Sequence, residues 1–373
     1  MTDKVLHNIH LKEFHKSKSA KFVSFAGYEM PINYKNGIIN EHQHVRNHTG
    51  IFDVSHMGQV LILFTNDNIK ALESYIPLSL NIIPLNKCHY SFFLNSNGGI
   101  IDDVILSKIK VENENYIYIV YNSSRKNVLN KIFENIVKNF KIIQKRCLIA
   151  IQGPSSYSDV KSIINIPSSM KFLDIEIIKY ENEDIYVSRS GYTGEDGFEI
   201  SIINENAEKL IIKILDNNNA ILCGLGCRDS LRVEAGLSLY GNEINEEITP
   251  IQAGLSWALD KSRLQDDNLN GSKILYEQLQ SPLDLKKIGF SPKSKTMLRS
   301  NMTLHNNEQK EIGYVSSGCY SPMLKKSIGI GYINKISEIS EKIFVKVRDK
   351  FEEIKLEQIP FIKKKYKKGE HND

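Results

Sequence analysis

The sequence predicts an α+β fold divided into two or three domains, and three observations predict it. At 373 residues the chain exceeds the roughly 250–300 residues at which a single core usually divides. Strand-like apolar runs alternate with helical stretches through the first three quarters of the chain, without internal repeats. From about residue 280 onward only short strands and turn signals remain, up to Pro360.

The elements follow in order. Residues 40–48, "NEHQHVRNH", read as a short polar helix, and "GIFDVSHMGQVLILF" turns to strand patterns. "NYIYIVYN" and "CLIAIQGP" read as strands, with "SRKNVLNKIFENIVKNF" between them as a helix. "DIYVSRS" and "FEISII" flank an Asp196-Gly197 turn signal as the arms of a hairpin. Leu231, Ala235 and Leu239 have helical spacing, with Arg228 near the helix start. The polar segment 260–284, punctuated by Gly and Pro, marks a boundary between a region 1–280 and a small β-rich domain 281–373.

Composition narrows the class. Hydrophobic residues are 41% and charged residues 25%, as in soluble globular proteins, and no apolar run approaches the roughly 18 residues of a membrane span. The N-terminal "MTDKVLHNIHLKEFHK" carries acids and lacks the apolar core of a secretory signal, so the expected compartment is the cytoplasm. Five cysteines without a CxxC pair point to neither a disulfide framework nor a zinc ribbon. A net charge of +4 gives no argument for nucleic acid. The C-terminal "KKKYKK" is a local exception: its plain reading is a solvated tail, its alternative a basic rim that attracts anions.

Three stretches carry candidate chemistry. In "RSGYTGEDGFEI", residues 189–200, three glycines and three acids crowd before a strand. Phe198, Ile200 and Ile202 share one face, which turns Glu199 to the other. Glu199 is then either a solvated outward residue or a fixed acceptor in a cleft, with Gly191 and Gly194 permitting close backbone approach. In "GLGCRDSLRVEAGLSLYGNEI" Arg228 and Arg232 lie four apart, a like-charge pair. Either Asp229 and Glu234 answer it or a ligand does. Gly224-x-Gly226 lacks the third glycine of a dinucleotide loop. In "NSNGGIIDDVIL", Asp102 and Asp103 interrupt an apolar strand, which is costly unless they are hydrogen-bonded or beside a cavity. Because strand neighbours face opposite sides, at most one of them looks into a given site. Glu41, His44 and His48 superficially resemble a metal face, but no HExxH is present and no metal is expected.

Taken together these stretches resemble aminomethyltransferase, the T-protein family of the glycine cleavage system. The resemblance runs in order through "FAGYEMPINY", "VRNHTGIFDVSHMG", "GGIIDD", "QGP", "GYTGEDGFEI", "RDSLRVEAGLSLYG", "ITPIQAGLSWALD" and "VSSGCYSPMLKKSIGIGYI". Departures are Tyr28, where the family commonly has Trp, and Ser123, where it commonly has Ala. The resemblance implies a three-domain cloverleaf around a folate pocket, with a small C-terminal β-barrel. It implies Asp103 as the catalytic acid, with Asp102 the fallback. It implies Glu199, Arg228, Tyr192, Tyr366, Met57, Tyr90 and Asn122 as folate-binding residues, Glu199 reading the pteridine. The implied co-substrate is tetrahydrofolate, without a metal. The implied partner is the lipoyl-carrying H-protein, with the P- and L-proteins acting indirectly and neither nucleic acid nor membrane involved. A non-catalytic relative of the iron–sulfur cluster assembly type is the alternative, but its K-G-C-Y-x-G-Q marker is absent.

Overall fold

A computed structural model describes residues 6–217, 219–334 and 342–368. The first five residues of the N-terminal stretch lie outside them. The protein is α+β and is built around two large sheets packed face to face and a closed barrel.

The first sheet has six strands, in the spatial order Ile175–Tyr180, Glu183–Ser188, Gly197–Ile203, Arg146–Gln152, Thr49–Asp53 and Ala220–Leu222. All pairs are antiparallel except the last. Alternation decides its faces. Phe198, Ile200 and Ile202 are fully buried with Ile149, Ile151 and Val187, and helix Asn204–Asn217 covers them with Leu210, Ile211 and Ile214. Each such side chain contributes about 1.5–3 kcal/mol by leaving water.

The second sheet is wholly antiparallel, in the order Lys87–Leu94, Ile100–Val111, Glu114–Tyr121, Gly58–Leu63 and Phe140–Ile142. Helices Asn66–Glu73 and Lys126–Ile136 cover its outer face through Ile69, Leu72, Leu129 and Phe133. Its inner face meets the six-stranded sheet. There Leu61, Cys88, Ile109, Tyr118, Ile175 and Tyr186 form a common cluster. Gln59 Oε1 ties the two sheets, accepting from the Tyr118 hydroxyl at 2.7 Å and Ser201 Oγ at 2.6 Å.

The closed barrel runs Leu285–Pro292, Lys326–Asn334, Glu311–Ser321, Thr303–His305, Ile343–Val347 and Lys350–Glu357 around its circumference. Phe290, Leu304, Val315 and Val345 fill it. Helix Leu225–Glu234 joins it to the rest: Arg232 donates to Ser317 Oγ at 2.6 Å and to Glu243 at 2.7 Å, while Ser316 Oγ donates to Glu243 at 2.6 Å.

Four expectations change. The polar helix of residues 40–48 begins earlier, as Gly37–Asn47, and buries Glu41, His42, Val45 and Arg46. The helix drawn through residue 140 ends at Ile136, and Phe140–Ile142 is a strand. Asp196-Gly197 makes no tight turn: Gly197 opens a strand, and residues 189–196 form the connection, with Gly194 at φ +80°. The C-terminal lysines are not a loose tail. The Lys365 amide donates to the Gly194 carbonyl at 2.8 Å, and the Phe172 amide donates to the Lys367 carbonyl at 2.8 Å. Tyr366 stacks on Phe172 at 3.9 Å between ring centroids.

Candidate functional site

Asp102 and Asp103 lie on strand Ile100–Val111, whose pairing with Lys87–Leu94 shifts register between Phe93 and Leu94. Asp102 is wholly buried, on the side of Val104 and Leu106. Asp103 is half-buried and shares its face with Ile105 and Ser107. One residue answers both acids. Asn122 Nδ2 donates to Asp103 Oδ1 at 2.6 Å and to Asp102 Oδ1 at 2.8 Å, and the Asn122 amide N donates to Asp102 Oδ2 at 3.0 Å. Tyr90, paired across the ladder with Ile105, donates its hydroxyl to Asp103 Oδ2 at 3.1 Å. Burial pushes the Asp103 carboxyl up to about 6, against the opposing hydrogen bonds of Tyr90 and Asn122. Burial raises Asp102 too, helped by the charge of Asp103.

Across the cleft, Glu199 emerges from the six-stranded sheet on the face opposite Phe198 and Ile200. It lines a small cavity with Ile105, Ser107, Tyr118, Val120 and Ser188. Ile105 and Ser107 of that lining share the strand face of Asp103 on the opposite sheet, and the charges of Asp103 and Arg228 both reach Tyr192 while that of Glu199 reaches Arg228. Ser190 Oγ donates to Glu199 Oε2 at 2.8 Å. Among the described residues it is the sole donor to that carboxylate.

The other acids of the "GEDG" loop are spent internally. Arg46, 4% exposed, donates to Glu195 Oε1 at 3.0 Å, to the Thr193 carbonyl at 2.8 Å and to Glu234 Oε2 at 2.8 Å. Asp196 is gripped by Arg189 at 3.0 and 2.5 Å. The glycines likewise serve packing: a Cβ on Gly191 would come 1.8 Å from Gln152 Oε1, and one on Gly194 2.8 Å from Ala235 Cβ. The close approach that Gly191 and Gly194 permit is taken up here by Gln152 and Ala235.

Arg228 and Arg232 point different ways. Asp229 answers Arg232 at 2.9 Å with Glu243, while Glu234 belongs to Arg46 and to His42, the latter at 3.0 Å. Among the described residues Arg228 has no carboxylate in contact. Its guanidinium lies 4.8 Å over the Tyr192 ring, and its buried Nη1 has no hydrogen-bond partner among the described residues. Burial lowers its proton affinity while the charge of Glu199 opposes that. The Tyr192 hydroxyl donates to the Ser238 carbonyl at 2.5 Å.

Met57 packs with Phe52, Val54, Leu148 and Leu231, next to the helix that carries Arg228. Tyr366 is half-buried, and its phenol is pushed up to about 12 by burial, with Glu195 and Glu199 adding to the shift. The structure thus joins Asp103, Tyr90 and Asn122 by hydrogen bonds. It joins Arg228 to Tyr192 by stacking, and brings Glu199 within electrostatic reach of Arg228 and Tyr366.

Two neighbours escape the sequence patterns. His56 is buried, its Nδ1 unpartnered, and it is held neutral, lowered to about 3 by burial and by the charge of Arg228. Trp257, the single tryptophan, is 68% exposed yet stacks on Tyr90 at 5.6 Å. The histidine pair does not make a metal face with Glu41. Glu41 turns inward to accept from the Tyr34 and Gly224 amides at 2.6 and 3.0 Å, and His44 meets the Asn219 carbonyl at 2.9 Å. Ligand atoms of Glu41, Cys223 and Cys227 lie within 4.8 Å. Both oxygens of Glu41 are engaged, and burial raises the Cys223 thiol.

Comparisons with known proteins agree over the whole chain. Residues 11–263 match the model of the GCVT N-terminal domain, and residues 286–363 that of the glycine cleavage T-protein C-terminal barrel domain. The mitochondrial aminomethyltransferase of Dictyostelium discoideum is 35% identical, over 96% of this chain and 93% of that protein. That of Mus musculus is 34% identical, over 97% and 91%. The crystal structure of glycine cleavage system aminomethyltransferase T from Bartonella henselae superposes with a TM-score of 0.89 at 31% identity, covering 97% of this chain and all of that one. With both domain models matched in order and relatives similar over nearly their full length, the chain belongs to the aminomethyltransferase family, the T-proteins of the glycine cleavage system.

Proposed function

We propose that the chain moves the aminomethyl carbon of an S-aminomethyldihydrolipoyl carrier, the H-protein, onto tetrahydrofolate. In the balanced reaction the carbon leaves sulfur and its own nitrogen and gains two bonds to folate nitrogens. Ammonia, the dihydrolipoyl thiol and 5,10-methylenetetrahydrofolate are the products. A nucleophilic folate nitrogen makes a covalent enzyme intermediate unnecessary.

One observation carries the reading: Glu199 and Asp103 stand on the facing sides of the two sheets, and the buried Nη1 of Arg228, within electrostatic reach of Glu199, has no hydrogen-bond partner among the described residues. Glu199 accepts from the amino and ring N–H groups of the pteridine, as a nearly donor-free carboxylate suits. Arg228 supplies the orphaned donor, Tyr192 and Tyr366 bound the ring, and Met57 adds an apolar contact. Asp103, oriented by Tyr90 and Asn122, takes up a proton from the reacting nitrogen. In its ionised form it also stabilises the positive charge developing on the transferred carbon.

The organisation proposed is a folate-binding region 1–280 with the barrel domain 281–373. The compartment proposed is the cytoplasm, although the named relatives are mitochondrial; fractionation of cells expressing the protein decides it. Glu199→Gln tests the pteridine role. It exchanges an acceptor for a donor toward the ring N–H, so tetrahydrofolate affinity falls by about tenfold or more. Unchanged affinity by calorimetry removes Glu199 from the site.

A further inference from the structure

The Tyr90 hydroxyl reaches Asp103 along a diagonal. In the ladder Phe92 stands opposite Asp103 and Tyr90 opposite Ile105. The phenol must therefore lean along its strand to donate to Asp103 Oδ2 at 3.1 Å. In another rotamer the same hydroxyl points elsewhere and the carboxylate loses a donor. Two rings hold the lean. Phe92, wholly buried and on the same strand face, meets the Tyr90 ring edge-on at 5.2 Å and 80°. Trp257 stacks on it at 5.6 Å and 21°.

Trp257 is anchored although its side chain is largely exposed. Its turn, Ser256–Ala258, is flanked by Leu255 and Leu259, and these two, with Ala258, are buried in the cluster that also holds Phe92. The Ala258 amide donates to the Leu255 carbonyl at 3.0 Å, and the Asp260 amide donates to the Pro77 carbonyl at 2.9 Å. Ser79 Oγ adds a hydrogen bond to Asp260 Oδ2 at 2.6 Å. The indole thus stands on a fixed backbone, and among the described residues Tyr90 is its sole ring contact. Aromatic stacking of this kind favours one ring orientation over others.

We propose that Trp257 is a positioning residue: its indole keeps the Tyr90 ring against Phe92 and so aims the Tyr90 hydroxyl at Asp103 Oδ2. The consequence for turnover rests on the reading of Asp103 as the base; the consequence for the carboxyl does not. A hydrogen bond donated to the ionised form lowers a carboxyl, as those of Tyr90 and Asn122 do against the burial of Asp103. Loss of the stack weakens the Tyr90 donor, so the carboxyl rises further. The other titratable groups that feel the charge of Asp103 are Asp102, Tyr192 and Tyr240, while Arg125 attracts Asp102. Burial raises all three phenols, which stay neutral where Asp103 titrates. Asp102 is retained in every variant below, so comparison between variants removes its effect.

Carbon NMR titration of the aspartate carboxyls, with Asp103→Asn identifying the signal, reads the Asp103 midpoint without turnover. The pH dependence of kcat/KM reads it in the reaction. Trp257→Ala raises the midpoint by about 0.5 pH unit or more and Tyr90→Phe by at least as much, whereas Trp257→Phe, which keeps a flat ring, moves it by about 0.2 or less. In the Tyr90→Phe background Trp257→Ala adds no further shift. An unmoved carboxyl in Trp257→Ala overturns the inference, as does a shift that adds in full to that of Tyr90→Phe. A shifted carboxyl that kcat/KM fails to follow upholds the positioning role and contradicts Asp103 as the base.

Discussion

Asp102 and Asp103 share the amide of Asn122, yet only Asp103 is turned toward the cleft. Its raised carboxyl fixes the sign of the expected pH dependence. A general base must be ionised, so kcat/KM rises with pH through about 6 and falls away below it. Asp103→Asn is expected to keep tetrahydrofolate binding and to lose most turnover together with that pH step. A carboxyl that holds its proton more tightly folded than unfolded costs stability above about pH 6, so the same variant keeps or raises Tm at pH 7. Wild-type turnover in Asp103→Asn contradicts the assignment, and an unchanged profile contradicts the base. Asp102, with both oxygens held by Asn122 and no exposure, serves as the anchor that positions that amide.

At the scale of elements, helix Gly37–Asn47 and the connection 189–196 are clamped by Arg46, which lies between the buried carboxylates of Glu195 and Glu234. Removing one member of such a group strands the others. Arg46→Met is expected to cost about 3–5 kcal/mol in denaturant unfolding; a loss below about 1 kcal/mol contradicts the clamp. The period-two pattern of Phe198, Ile200 and Ile202 placed Glu199 on the opposite face because alternation is local to the strand. The glycines before it were legible as points of close approach but not by their partners, because Gln152 and Ala235 lie about 40 residues distant in sequence. Arg232 was legible as half of a like-charge pair, but Glu243 and Ser317, its chief partners, come from a loop and from the barrel. His56 and Trp257 carry no periodic signal: burial isolates one, and a short 3₁₀ turn, Ser256–Ala258, holds the other against Tyr90.

Over the whole molecule, the two face-to-face sheets carry Asp103 and Glu199 on their facing sides, and helix Leu225–Glu234 reaches Tyr192 through Arg228 and the barrel through Arg232. The C-terminal strap then returns from the barrel to the connection 189–196. Among the described residues no helix is long and apolar enough to cross a membrane. Family membership was legible because its motifs are spread along the chain in order. The roles of individual residues were less so, since the cleft is assembled from segments far apart in sequence. The most direct test supplies the purified protein with aminomethyl-loaded lipoyl carrier, with and without tetrahydrofolate, and measures ammonia and 5,10-methylenetetrahydrofolate together. The account predicts that both form in equal amounts and only when tetrahydrofolate is present; tight folate binding without turnover would contradict it.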